Sequence, residues 1–486
     1  MNNPQPNQET LDPDDWETVR KLAHRTVDDA INALSKVREQ PVWQSIPKEI
    51  SKSFKRPMPL EPGGLDATYQ EFMQTIFPYP MGNTHPRFWA WFMGNGTMTG
   101  ALADFLAAIM NPNLGGGNHA ANLVEAQVVN WCKQMVAFPE DASGLLVSGG
   151  SMANFVGLAV ARNAMAEHDV REHGVPKNMA IYSSVEVHSC NDKAIEILGL
   201  GRSAFRKIPT NQRYQIDIEA LIKIINEDRN AGLSPFCVIG NAGTINTGSV
   251  DDLDALAKLC KKEKLWYHVD GAIGAVLTLA PNNKHLVKGM ENADSIALDL
   301  HKWMHVPFEA GCVLIRDEQK HRETFCLTPE YLEHTERGLA GGKTWFSDYG
   351  LQLSRGFRAL KVWFTIKEHG IKKFGRLIDQ NIEQAHCLVK LINATLELEL
   401  TAPVVLNIVC FRFKPSGLDE EALNKINQEL LVQLHERGIV VPSYTTLNGK
   451  YCLRAAITNH RTQFDDLQLS IDEIRDTGNR ILNTWV

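Results

Sequence analysis

Ser295-Ile-Ala-Leu-Asp-Leu-His-Lys-Trp303 is a run of small and branched apolar residues that stops at a histidine, a lysine and a tryptophan. It reads as a short buried strand whose carboxyl end delivers Lys302. Upstream, Leu265-Trp-Tyr-His-Val-Asp270-Gly-Ala272 has the same form and ends on a lone carboxylate. Further apolar runs at Met179–Tyr182, Phe236–Ile239 and Cys312–Ile315 are separated by helical patterns. Buried runs alternating with helices predict an α/β protein with a mostly parallel sheet covered on both faces. Ligands of such a sheet collect beyond the carboxyl ends of its strands, where Asp270 and Lys302 both fall.

A lysine and a carboxylate at two such ends are what pyridoxal 5'-phosphate (PLP) requires. The amine condenses with the aldehyde, and the carboxylate keeps the pyridine nitrogen protonated so that the ring accepts electrons. Each residue alone has a plainer reading. A lysine after an apolar run is commonly a solvated strand end, and Asp270 alone is equally a helix cap. The combination, with His268 and His301 alongside, is what points to a cofactor.

A phosphate cup is expected at Leu145-Leu-Val-Ser148-Gly-Gly-Ser151-Met-Ala-Asn154, where an apolar stretch turns through Ser and Gly into a helical pattern. Glycines let backbone amides approach an anion, and a helix N-terminus adds partial positive charge. The spacing is neither a dinucleotide fingerprint nor a P-loop. In isolation it also fits an ordinary turn with a helix cap.

Taken in order, Ser148-Gly-Gly-Ser151, His188-Ser189, Gly243-Thr244, His268-Val-Asp270-Gly-Ala272 and His301-Lys302-Trp303 resemble the group II PLP-dependent decarboxylases, which act on aromatic amino acids, glutamate and histidine. Ser354-Arg-Gly-Phe-Arg358-Ala-Leu-Lys361 and Leu453-Arg454 extend the likeness, which runs from about His85 to the C-terminus. The resemblance implies the PLP fold-type I architecture, similar to aspartate aminotransferase, with a small α+β C-terminal domain. It implies Lys302 as the Schiff-base lysine, Asp270 as partner of the pyridine nitrogen, and His188 stacked on the ring; a core histidine is the alternative for His188. Ala272 corresponds to a small residue against the opposite ring face. Gly150 and Ser151 correspond to phosphate ligands, with Thr244 and His301 as further cofactor contacts; a structural role for His301 stays open. No metal is called for.

The protein selects the reaction by holding one bond of the α-carbon perpendicular to the conjugated ring. A decarboxylase also needs a proton donor, in this family a tyrosine on a mobile loop. Thr328-Pro-Glu-Tyr331-Leu-Glu-His334 resembles the start of that loop, and the glycine-rich 337–343 stretch suits a lid. Tyr331 is otherwise an ordinary surface or interface tyrosine. Some relatives carry phenylalanine there and act as aldehyde synthases, so tyrosine implies simple decarboxylation to amine and carbon dioxide.

Three positions depart from the family pattern: Met152 where many relatives have glutamate, Asn246 where aromatic enzymes carry a hydroxyl, and Asp299 where asparagine is common. Asp299 is expected to reach phosphate through bridging groups or to fix His301. The stretch His85-Pro-Arg-Phe-Trp-Ala-Trp91-Phe92-Met-Gly-Asn95 corresponds to a pocket-lining segment, and Phe88, Trp89, Trp91 and Phe92 suit an aromatic substrate. The same alternation also describes a half-buried strand. The glycines and polar groups from Met110 to His119 equally suit a glutamate-, aspartate- or diaminobutyrate-like substrate. A transaminase or lyase on the same fold is the other alternative; a transaminase would clamp the substrate carboxylate with an arginine, for which Arg454 is the obvious candidate.

Composition agrees with an enzyme of this size. The 486 residues are 44% hydrophobic, enough to bury a large core, and 50 basic against 57 acidic residues leave a net charge of −7. That mild acidity gives no support for nucleic-acid binding. Nine scattered cysteines without C-x-x-C pairs fit free thiols in a reducing compartment. The first ten residues lack a signal-peptide pattern and no run suits a membrane span, so a cytoplasmic enzyme is expected. We divide the chain into a helical dimerisation segment (1–84), a large PLP-binding domain (85–370) and a small C-terminal domain (371–486). The resemblance implies a homodimer with its active sites at the subunit interface, acting on a small-molecule amino acid.

Overall fold

The computed structural model describes residues 9–327, 337–342 and 344–485. Its contacts divide into two units, Met1–Gly82 and Asn83–Val486. The first is helical: Trp16–Ser35, Lys48–Ser53 and Leu65–Thr75. Asp15 opens the long helix by accepting the Glu17 and Thr18 N–H groups at 2.9 and 3.3 Å, an N-cap typically stabilising by about 1 kcal/mol. The Tyr69 hydroxyl donates to Asp29 at 2.7 Å and so links the first and third helices.

Among the described residues the second unit holds twelve strands in two sheets. In chain order they are β1 (Phe88–Trp89), β2 (Ser143–Val147), β3 (Met179–Ser184), β4 (Phe205–Ile208), β5 (Ser234–Asn241) and β6 (Trp266–Asp270). Then follow β7 (Ser295–Asp299), β8 (Gly311–Ile315), β9 (Leu398–Leu400), β10 (Ile408–Phe413), β11 (Val441–Leu447) and β12 (Lys450–Ala456). The larger sheet has seven strands in the order β2-β8-β7-β6-β5-β3-β4. All its neighbours are parallel except β8, which runs against β2 and β7. Strands β2, β3, β6, β7 and β8 are buried at every position. That is why they read as continuous apolar runs rather than alternating ones.

The helix Gly150–Met165 packs on this sheet through Ala153, Gly157 and Ala161, all buried. Its approach is close enough that a Cβ on Gly157 would meet His268 Cε1 at 2.8 Å. The five-stranded sheet, β1-β11-β12-β10-β9, is antiparallel except for the β1–β11 pair. It shares a separate core, including Trp89, Phe411, Phe413, Leu430 and Ile471, with the helices Ile371–Ala394, Glu420–Arg437 and Phe464–Trp485. The segment around Trp89, grouped by sequence with the larger sheet, thus supplies an edge strand to the smaller one.

A buried ion pair anchors the end of β2. Arg355 donates to Leu114 O at 2.8 Å and Leu146 O at 2.7 Å, and pairs with the fully buried Glu125. Burial pushes the Glu125 carboxyl up, and the guanidinium opposes that shift. Removing one partner of such a pair typically costs about 3–5 kcal/mol. The residues that follow β2 therefore leave from a fixed point.

Candidate active site

Beyond the carboxyl ends of β2, β3, β5, β6 and β7 lies a cavity of about 380 Å³. Its wall includes His188, Thr244, Asp270, Ala272, His301 and Lys302, together with Gly149, Gly150 and Ser151. Every residue expected to bind the cofactor is on that wall; Tyr331, the expected proton donor, lies outside the described residues.

The cradle begins at Gly149, where the chain enters the helix Gly150–Met165. A Cβ on Gly150 would meet Asp299 Oδ2 at 2.8 Å and the Ala272 Cβ at 2.9 Å, so no larger residue fits there. The first N–H groups of a helix have no intrahelical acceptor. Here they open a groove beside Ser151, suited to an anion.

Asp270 is held from three directions. Its Oδ2 accepts the Asn154 and Asn191 side-chain amides, both at 3.0 Å, and its Oδ1 accepts the Ala272 N–H at 3.2 Å. His188 Nδ1 accepts the Cys190 N–H at 3.1 Å. In the neutral ring this places the proton on Nε2. Burial lowers the His188 pKa, opposed by the charge of Asp270, so the ring is a neutral N–H donor at pH 7.

Lys302 Nζ lies 3.1 Å from Asp299 Oδ2. The Asp299 Oδ1 atom is buried and has no hydrogen-bond partner among the described residues. His301 Nε2 is farther from that carboxylate, at 3.9 Å, while its Nδ1 meets the Ala310 backbone. Asp299 therefore engages Lys302 more closely than His301, one of the two partners expected for it. Thr244 reaches the wall with its hydroxyl committed to a tight turn: Oγ1 accepts the Ser249 N–H at 3.1 Å and lies 3.2 Å from Thr247 Oγ1.

The aromatic segment takes a different place from the one expected. Phe88, Trp89 and Phe92 are buried, and Phe92 packs edge-on against Trp303 with centroids 5.6 Å apart. Trp91 is exposed, and none of the four lines the cavity. Phe308 is the aromatic side chain on its wall besides His188 and His301. Asn246 turns away to Glu186 and Thr445. Arg454 also lies off the wall, donating to Trp91 O at 2.8 Å and Asn246 O at 3.1 Å. Burial lowers its pKa to about 10. These contacts make it a structural arginine.

Sequence reasoning gave no role to Asn154, Asn191 or Cys190, although Asn154 ends the quoted cradle. Its position is four residues after Gly150, on the same helical face, which was the available signal. The residues on the cavity wall fit PLP in chemistry. They offer a lysine amine, a carboxylate held by amide donors, a neutral imidazole, and an anion groove that a Cβ would fill.

A family model described as the pyridoxal-dependent decarboxylase conserved domain matches residues 47–414. An aromatic-L-amino-acid decarboxylase of Bacillus atrophaeus is 36% identical over 455 residues, 93% of this chain and 93% of that protein. Tryptophan decarboxylase 2 of Oryza sativa subsp. japonica is 27% identical over 492 residues, 99% of this chain and 98% of its own. Among solved structures, Oryza sativa TDC with PLP and tryptamine superposes with a TM-score of 0.89 at 25% identity, covering 97% of this chain and all of that one.

Proposed function

The chain belongs to the pyridoxal-dependent decarboxylase family, and from that premise we propose that it converts an aromatic L-amino acid to the amine and carbon dioxide. The observation that carries this reading is the convergence of Lys302, Asp270, His188 and the Gly149–Ser151 cradle on one cavity. Support for the substrate class comes from the relatives, named for aromatic amino acids. The cavity's apolar side chains, Phe308, Ile245 and Ile273, suit an aromatic ring.

Bound PLP supplies an electron sink conjugated with the substrate α-carbon. Lys302 is the amine that would hold it, displaced from Asp299 in doing so. Asp270 would face the pyridine nitrogen. Ser151 and the unpaired helix N–H groups would take the phosphate, with His301 at that end. Ala272 leaves room for a flat ring, Thr244 shapes the wall beside it, and the His188 Nε2–H would lie against it as a donor. We assign the proton that replaces carbon dioxide to Tyr331.

The reading includes a homodimer. The helix Met98–Met110 leaves Leu102, Phe105, Leu106, Ile109 and Met110 exposed, and Trp16–Ser35 buries no residue at all. The exposed residues of Met98–Met110 recur at helical spacing, and an apolar face of this kind marks an interaction surface. It adjoins the cavity, because Lys361 bonds both Asp104 of that helix at 3.1 Å and Phe308 O at 2.9 Å. Nine free thiols support a reducing, cytoplasmic setting.

The test is an absorbance spectrum followed by a carbon dioxide release screen over L-amino acids, with amine, aldehyde and oxygen uptake followed together. Equal amounts of amine and carbon dioxide from aromatic substrates are expected. Release confined to glutamate, aspartate or diaminobutyrate would overturn the substrate class. Release with oxygen uptake and aldehyde would remove the proton-donor assignment.

A further inference from the structure

Behind the cavity, buried side chains form a continuous hydrogen-bonded line. Trp266 Nε1 donates to Ser295 Oγ at 2.8 Å, and Ser295 Oγ lies 2.7 Å from His268 Nδ1. His268 Nε2 lies 2.7 Å from Asn154 Oδ1, and Asn154 Nδ2 donates to Asp270 Oδ2 at 3.0 Å. His268, Ser295 and Asn154 are fully buried.

The direction of every bond in this line follows from its two ends. An indole N–H only donates and a carboxylate only accepts. Asn154 must therefore turn its NH₂ toward Asp270 and its carbonyl oxygen toward His268. That oxygen requires a proton on Nε2, so Nδ1 of the neutral ring carries a lone pair. The lone pair takes the Ser295 hydroxyl proton, leaving the Ser295 oxygen to accept from Trp266. No group is left with two donors or two acceptors facing each other.

A second observation shows that the backbone is built around the same imidazole. Gly157 stands in the middle of the helix Gly150–Met165, where glycine typically costs about 1 kcal/mol relative to alanine. A Cβ there would strike His268 at Cε1 and Nδ1, 2.8 and 3.0 Å away.

We propose that Trp266, Ser295, His268 and Asn154 form a one-way hydrogen-bond relay that positions the Asp270 carboxylate for the pyridine nitrogen, with His268 as its neutral, Nε2-protonated hub. This rests on the reading of Asp270 as partner of PLP. The relay and Asn191 together occupy Oδ2. Oδ1, which among the described residues accepts only the Ala272 N–H, keeps capacity for one more donor. Burial drives the His268 pKa down to about 4, opposed by the charge of Asp270, so the hub stays neutral through the working range. None of the four residues is catalytic; they act through Asp270.

The experiment uses holoenzyme and the variants Asn154→Leu, Ser295→Ala and Ser295→Thr, with His268→Gln for assignment. The first readout is independent of activity and cofactor: nitrogen NMR of histidine-labelled protein, with the His268 resonance identified by its loss in His268→Gln. A neutral Nε2-protonated ring from pH 8 to about pH 5 is expected, kept in Ser295→Ala because Asn154 still fixes it, and a mixture of tautomers in Asn154→Leu. An Nδ1-protonated ring in the parent protein would overturn the relay. The second readout is the pH titration of the cofactor's visible band. The titratable groups around Asp270 are His188, Cys190, His268, Lys302 and Asp299, all intact in Asn154→Leu and the two Ser295 variants, so a shift reports the relay. Losing one hydrogen bond to a charged group should move the midpoint by about one unit and weaken cofactor retention roughly tenfold in Asn154→Leu. Ser295→Ala should give a smaller shift in the same direction and Ser295→Thr should restore it. Unchanged midpoints in both Asn154→Leu and Ser295→Ala would reduce the line to core structure. If Asn154→Leu does not fold, the serine pair decides. A visible band that survives Lys302→Ala would instead remove the PLP reading beneath the proposal.

Discussion

The two ends of the seven-stranded sheet make an instructive pair. At the amino ends lies a cleft of about 990 Å³ lined by Asp141, Trp266, Asp294, Arg316 and Lys320, more than twice the 380 Å³ at the carboxyl ends. Its charges are matched. Arg316 donates to Ala293 O at 2.8 Å and lies over the Phe138 ring, and Asp294 accepts the Tyr267 N–H at 2.8 Å. Lys320 is 3.8 Å from Asp317, both about half exposed. Among the described residues, the smaller cavity instead holds a buried carboxylate oxygen with no partner, a lysine with one, and a helix N-terminus facing open space. Volume does not choose the site. Polar groups left unfinished in a rigid wall do, because burying them costs free energy that a ligand can recover.

Substitutions at each end should separate them, and the largest effect belongs to the lysine. Lys302→Ala is expected to abolish the visible cofactor band and lower turnover by roughly a thousandfold or more, read by absorbance and carbon dioxide release. A band that persists would move the site elsewhere.

Next in size is Gly150→Ala, whose Cβ would collide with Asp299 and Ala272. Overpacking of this kind typically costs about 1–3 kcal/mol, visible in thermal melting, and cofactor retention should fall with it in equilibrium dialysis.

Acid should act on both ends alike. His268 near the cavity and His321 at the amino end are buried, with pKa values lowered by burial to about 4 and about 3. His321 is held neutral between Ser143 and Tyr349 O, each at 2.8 Å. The unfolded chain takes up a proton at each histidine near pH 6.5 and the folded chain does not. Stability is therefore intact above that pH and falls as pH drops toward 4, by about 2 kcal/mol per histidine at pH 5. Urea unfolding at pH 7 and pH 5 measures it.

The smallest effect is at Lys320→Ala, an exposed pair expected to change stability by less than about 0.5 kcal/mol and turnover not at all. A loss of turnover there would break the comparison.

The strands and the cofactor constellation were legible because both rest on local signals. Continuous burial writes continuous apolar runs, and Lys302, Asp270 and the cradle glycines each stand at the end of one. Strand β4, Phe-Arg-Lys-Ile, was not legible. It is an edge strand whose Lys207 lies over Phe205 and pairs with Asp192, so its pattern is half polar. Strand β11 hid behind Pro442, tolerated where it pairs with β1. The aromatics from Phe88 to Phe92 carry the same periodicity whether they face a pocket or a core, and only packing distinguished them. Asn154 and Asn191 look like any helical polar residues until two helices bring their amides to one carboxylate.

The helix Gly150–Met165 presents its anion groove at the first turn and Asn154 one turn later. At 1.5 Å per residue, about 6 Å separates the two along a rigid rod. The groove proposed for the phosphate and the amide that holds Asp270 thus sit on a single body that cannot stretch. Such a rod would work as a caliper: on the proposed reading, a vitamer whose phosphate arm is longer or shorter by one carbon would satisfy one jaw only by leaving the other.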